Sequence, residues 1–139
     1  MKKTLVCLAL AATLATPALA ADRIKVGFIS TLSGPGGVIG VAIRDGFLLG
    51  VEHAGGKLGG LPVEVIIEDD QQKPDVARQL ADKMLKRDKV DLMTGIVFQN
   101  LLQAVEQPVL ESKTFYVSPN TGPSDLAGEK CNPYFFAVS

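Results

Sequence analysis

The chain has 139 residues, a formal net charge of −1, 47% hydrophobic and 6% aromatic residues, and no tryptophan. A mildly acidic chain this poor in aromatics has no electrostatic footprint for nucleic acid or anionic lipid, so neither is expected as a partner. Its length suffices for one domain with a buried core.

The N-terminus reads as an export signal. Lys2 and Lys3 precede an apolar stretch from Leu5 to Leu14, interrupted only by Thr13, and then Pro17 and Ala18-Leu19-Ala20. That order predicts a signal peptide over residues 1–20, cleavage after Ala20, and a periplasmic mature domain over residues 21–139. The apolar run is too short to span a bilayer, and Val6 before Cys7 does not suit lipidation. Losing Lys2 and Lys3 takes the formal net charge from −1 to −3. Cys131 is then the only cysteine. No disulfide can form within these residues, so its partner lies outside them or it is a single buried thiol.

Ile24 to Ser30 (IKVGFIS) is a β-rich, mostly apolar run of the kind buried on both faces of a parallel sheet. Thr31 to Gly37 is a turn cluster, after which Ile39, Ile43, Phe47 and Val51 recur every fourth residue, one face of a helix. Gly55-Gly56 ends that helix, and Gly59-Gly60 turns the chain into a strand over Pro62 to Glu68. Asp69 to Lys73 reads as a solvated exit loop, with nothing apolar nearby to raise either acid's pKa. Pro74-Asp75 starts a second helix with Val76, Ala77, Leu80, Ala81, Met84 and Leu85 inward. Val90 to Val97 predicts a third strand, Asn100 to Leu110 a third helix, Thr114 to Ser118 a fourth strand and Tyr134 to Val138 a fifth. Strands alternating with helices through short connections predict an α/β fold with a doubly wound parallel sheet. A final strand with no closing helix suggests that the chain is part of a longer protein, and it would leave an unpaired edge prone to aggregation.

Ligands of open parallel sheets bind outside the carboxyl ends of the strands. Three loops are expected there: Leu32 to Gly37, Phe98 to Asn100, and Pro119 to Gly122. All are uncharged and rich in Ser, Gly, Asn, Gln and Thr. Loops of this kind that begin or precede helices offer backbone N–H groups to an anion without a competing charge, which suits a carboxylate. Taken singly, Ser33, Asn100 and Asn120 are as readily read as caps and turn residues.

Enzyme patterns are missing, so no catalytic residues and no cofactor are expected. His53, the only histidine, falls beside a Gly-Gly helix end and reads as solvent-facing, and no second His or Cys is spaced for a metal. There is no Gly-x-Ser-x-Gly elbow and no Walker lysine. Gly34-Pro35-Gly36-Gly37-Val38-Ile39 comes nearest to a dinucleotide fingerprint. Its third glycine position is Ile39, however, which hinders close helix–strand packing.

Ile24-Lys25-Val26-Gly27, Ser33-Gly34-Pro35, Gly55-Gly56-Lys57-Leu58-Gly59-Gly60, Asp69-Asp70 and Gly95, following an export signal, resemble the leucine/isoleucine/valine-binding type I periplasmic binding proteins. The resemblance runs from about Ile24 onwards. It implies most of the first of two α/β lobes that close on a ligand, which is delivered to an inner-membrane ABC permease by a protein expected to be monomeric at full length. It also implies carboxylate-binding loops at Val97-Phe98-Gln99-Asn100 and Pro119-Asn120-Thr121-Gly122. Gln99, Asn100 and Thr121 would be directed donors there, with Ile39 and Phe98 flanking the apolar body. The family's Ser cluster is missing, Gly122 stands where a Thr is expected, and Ile39 stands where some members carry an aromatic. The turn region also looks like the branch that binds benzoates and hydroxycinnamates. In the family the acidic group that grips an α-amino group usually lies in the second lobe, so amino acid and aromatic acid both remain open as ligands. The same lobe pair can also form the ligand-sensing part of a signalling receptor.

Overall fold

The structure, a computed structural model, describes residues 22–138. The expected leader over residues 1–20 lies outside them. Strand β1 (Ile24–Ser30) spans the predicted run, and the helix α1 (Gly37–His53) follows it. A short β2 (Lys57–Leu58) folds back antiparallel onto the start of β3 (Leu61–Asp69). Then come α2 (Pro74–Lys83), β4 (Leu92–Thr94), α3 (Gln99–Glu111), β5 (Phe115–Ser118) and β6 (Phe135–Ala137).

The six strands form one sheet in the order β2-β3-β1-β4-β5-β6, parallel apart from β2. β1 lies at the centre because it is apolar on both faces, and its last five residues are buried. Gly27 and Ile29 face α2 and α3. Val26, Phe28 and Ser30 face the α1 side, where the Phe28 and Phe47 rings sit 5.5 Å apart. The larger core lies under α2 and α3. Ala77, Ala81 and Met84 meet Leu101, Leu102, Val105 and Val109 over Met93 and Tyr116. Helices on both faces make the sheet doubly wound, as expected.

The structure corrects several boundaries. The third strand is Leu92–Thr94, because Gly95, at φ +105°, turns the chain across the Ile29 carbonyl, where a Cβ would stand only 2.7 Å away. The second helix ends in a π turn over Met84–Asp88, closed by Lys89 at φ 56°. The apolar stripe of α1 seats the helix only in part: Phe47 packs on Phe28 and Ile43 and Val51 are half-buried, but Ile39 is 42% exposed and the fully buried residues are Gly37 and Gly40. Cys131 is exposed, which removes the buried-thiol reading. His53 is exposed beside the end of α1, in line with expectation.

Candidate functional site

Parallel pairing brings the exits of β1, β3, β4 and β5 to one edge of the sheet. The sequence reading placed three loops there; the structure adds a fourth, the exit of β3. Asp69 Oδ1 accepts from the backbone N–H groups of Leu32 and Gln71, both at 2.9 Å. Burial pushes this carboxyl up, but hydrogen bonds from the Ser33 side chain and from the backbone of Leu32, Gln71 and Ser33 outweigh it and hold the pKa below the usual carboxylate value. Asp70 is fully buried. Its Oδ1 accepts from Thr31 Oγ1 at 2.6 Å and from the Gln72 N–H at 2.8 Å, while its Oδ2 has no partner among the described residues. Burial raises the Asp70 pKa, and the neighbouring Asp69 charge adds to the rise against the hydrogen bonds from Thr31 and Gln72. The reading of Asp69 to Lys73 as merely solvated is therefore wrong: the two acids tie the β3 exit to the β1 exit.

The β4 and β5 exits are tied in the same way. Asn120 Nδ2 donates to the Val97 carbonyl at 2.8 Å, and Thr94 Oγ1 donates to the Val117 carbonyl at 2.7 Å. Within the β5 loop the Ser118 hydroxyl donates to the Thr121 carbonyl. The loop leads into a series of turns over residues 124–130 and not into a helix, so at this edge a dipole can act at the starts of α1, α2 and α3 but not at the β5 loop. At α3 the N–H groups of Gln99 and Asn100 have no carbonyl partner among the described residues.

The exits of β1, β3 and β4 meet at Gly36. A Cβ there would lie 2.9 Å from two carbons of the Phe98 ring and 3.0 Å from Gln72 Oε1, so glycine leaves room for both side chains where they stand. Of the residues proposed from sequence, Phe98, Asn120, Thr121 and Gly122 lie on the paired β4 and β5 exits, with Gln99 and Asn100 exposed on the first turn of α3. Ser33 is exposed in the β1 exit loop near Asp69, where it helps to lower that carboxyl's pKa. Ile39 is exposed on α1, three residues beyond Gly36. Gly122 lies against Ala137, whose Cβ would be 3.1 Å from an added Cβ, and it borders an apolar cavity of about 270 Å³ with Pro123, Leu126, Ala127, Phe135 and Ala137. Gln72 and the two acids are what sequence reasoning missed. The available signal was topological, since the exit of every parallel strand belongs to the same edge. Among the described residues no group of His, Cys, Asp or Glu is arranged to hold a metal, and no helix is long and apolar enough to cross a membrane.

A doubly wound lobe with neutral, donor-rich loops on one edge defines a small-molecule binding fold. The chain belongs to the periplasmic binding protein family, whose signature matches residues 23–139. It is 28% identical over 140 residues to the Leu/Ile/Val-binding protein homolog 6 of Brucella abortus (strain 2308), a match covering 100% of this chain and 35% of that protein. Among solved structures, an ABC transporter substrate-binding protein from Sphaerobacter thermophilus is 35% identical with a TM-score of 0.79, covering 84% of this chain and 32% of that one. A solute-binding protein of an R. palustris ABC transporter, in complex with benzoate, is 31% identical with a TM-score of 0.79 and the same coverages of 84% and 32%. The chain thus spans about a third of the length of these relatives.

Proposed function

We propose that the chain is the first-lobe part of the substrate-binding component of an ABC importer, working in the periplasm and handing a small carboxylate to an inner-membrane permease. The observation that carries this is the single edge on which the β4 and β5 exits are tied together beside the open first turn of α3. The free N–H groups of Gln99 and Asn100 and the side chains of Gln99, Asn100 and Thr121 are the donors for the carboxylate. Phe98 and Ile39 supply apolar surface for the rest of the ligand.

Of the two ligand classes, aromatic acids have the stronger support. The support is the benzoate complex of the R. palustris relative, which is 31% identical to this chain. A thermal-shift screen of the full-length protein with benzoates, hydroxycinnamates, leucine, isoleucine and valine, followed by calorimetry, tests the reading. Stabilisation by at least one carboxylate in this set is expected. No response to any of them, or a response only to uncharged solutes, refutes it.

A further inference from the structure

We propose that Gln72 contacts the bound ligand and reads a polar substituent at the end remote from its carboxylate. This rests on the reading above, in which the carboxylate lies at the β4 and β5 exits. Gln71 and Gln72 are consecutive non-glycine residues in the left-handed region, at φ 53° and 58°. Glycine or asparagine would make a bare turn there with less strain, and strain held at a binding edge is the kind of feature that function retains. The conformation is set by two bonds, from the N–H of Gln71 to Asp69 and from the N–H of Gln72 to the fully buried Asp70. Their effect is to hold an exposed glutamine with its Oε1 against Gly36, next to the Phe98 ring. The side-chain amide takes no part in the bonds that fix the loop, which leaves its donors free.

Position along the edge gives the substituent. Strands β3, β1, β4 and β5 are successive neighbours, about 4.8 Å apart. The β3 exit is therefore roughly 10 Å from that of β4 and roughly 14 Å from that of β5. The Gln72 amide oxygen lies against Gly36, in the loop that leaves β1, which places the amide on the β1 side of the β3 exit and beside the Phe98 ring. A carboxylate held between β4 and β5, with a single ring extending towards β1, brings the far side of that ring to Phe98 and Gln72. An amide donates to and accepts from a ring hydroxyl, and it gains nothing from an unsubstituted ring.

Calorimetry on the full-length protein with benzoate, 3-hydroxybenzoate and 4-hydroxybenzoate decides the matter. The wild type is expected to prefer one of the hydroxylated acids. Gln72→Leu and Gln72→Gly should each weaken that acid by roughly three- to tenfold, the worth of one neutral hydrogen bond, and leave benzoate nearly unchanged. Glycine adopts positive φ without strain, so Gln72→Gly should melt no lower than wild type, separating lost contact from lost folding. Equal weakening of all three acids would reduce Gln72 to a loop support, and unaltered selectivity would exclude the contact; either result overturns the inference while carboxylate binding stands. A wild type that binds none of the three acids overturns this inference and the preference for aromatic acids together.

Discussion

Gly40→Ala is expected to be the most damaging small substitution in α1. An alanine Cβ would stand 1.9 Å from the Thr31 carbonyl oxygen, 2.7 Å from Ser30 Oγ and 2.8 Å from the Thr31 carbonyl carbon. Two of these three are backbone atoms at the exit of the central strand, so no rotamer change relieves the clash. Restoring van der Waals separation means opening the contact by about 1.5 Å. Overpacking of this kind costs about 1–3 kcal/mol, here at the upper end because backbone must move. Alanine's better helix propensity returns about 1 kcal/mol, leaving a net loss near 2 kcal/mol. The same helix holds its own controls: a Cβ at Gly46 or Gly50 meets nothing within 4 Å. Gly46→Ala and Gly50→Ala should therefore stabilise by up to about 1 kcal/mol through propensity alone. Urea denaturation of the three full-length variants at constant m-value measures the difference. Ligand affinity should fall only for Gly40→Ala, because the displaced helix carries Gly36 and Gly37 with it. If Gly40→Ala is as stable as Gly46→Ala, the seating of α1 on the exit of β1 is wrong, and so is the shape assigned to this side of the site.

Three further outcomes are expected. Thr121→Val removes one donor from the β5 loop and should weaken ligand binding by about 1–3 kcal/mol in calorimetry, with Asn100→Ala weakening it as well; intact binding in both would move the carboxylate elsewhere. Because Asp69 has a lowered pKa in the fold, its stabilising effect is complete above its unfolded value, near pH 4, and is lost as pH falls through the folded value. Asp69→Asn should accordingly lower stability at neutral pH and flatten the loss on acidification, as followed by melting temperature between pH 3 and 7; parallel wild-type and variant profiles would contradict this. N-terminal sequencing of exported protein should begin at Ala21, and a chain that keeps Met1 or is lipidated at Cys7 would remove the periplasmic assignment.

Much of the fold was legible because its signals are local. The run Ile24 to Ser30 is apolar throughout, as a strand covered on both faces must be, and Pro74-Asp75 marks the start of α2 where the structure has it. The Val90 to Val97 run misled because Ile96 and Val97 are buried without being in the sheet, and an apolar run does not reveal where Gly95 turns it aside. The stripe on α1 found the half-buried face, with Phe47 on Phe28, but not the closest approach, which runs through Gly37 and Gly40 and carries no hydrophobic signal. At the site, the Phe98 and Asn120 loops could be placed from sequence because they follow recognisable strands. The burial of Asp70 could not, since adjacent acids after a strand look the same whether they face water or bind Thr31 and Gln72.

The placement of the acids also bears on how a ligand lies across this edge. A negative group about 5 Å from another unit charge in water meets about 0.8 kcal/mol of repulsion, which falls to about 0.3 kcal/mol at 12 Å. In the strand order, Asp69 and Asp70 stand at the β3 exit, two neighbours from β4 and three from β5. A carboxylate ligand therefore gains by turning its charged end towards Asn100 and Thr121 and its uncharged end towards Gly36 and Gln72. The N–H groups aimed at Asp69 and the hydroxyl and N–H aimed at Asp70 meanwhile satisfy the acids locally. One device thus serves two ends. The acids hold the β1 and β3 exits in shape, and the Asp69 charge adds a weak preference, about 0.5 kcal/mol before salt screening, for an anion at the uncharged loops two strands away. At a few tenths of a kcal/mol across that distance, Asp69→Asn should change ligand affinity little in calorimetry, and a variant that loses binding while Thr121→Val and Asn100→Ala keep it would move the ligand's seat to the acids.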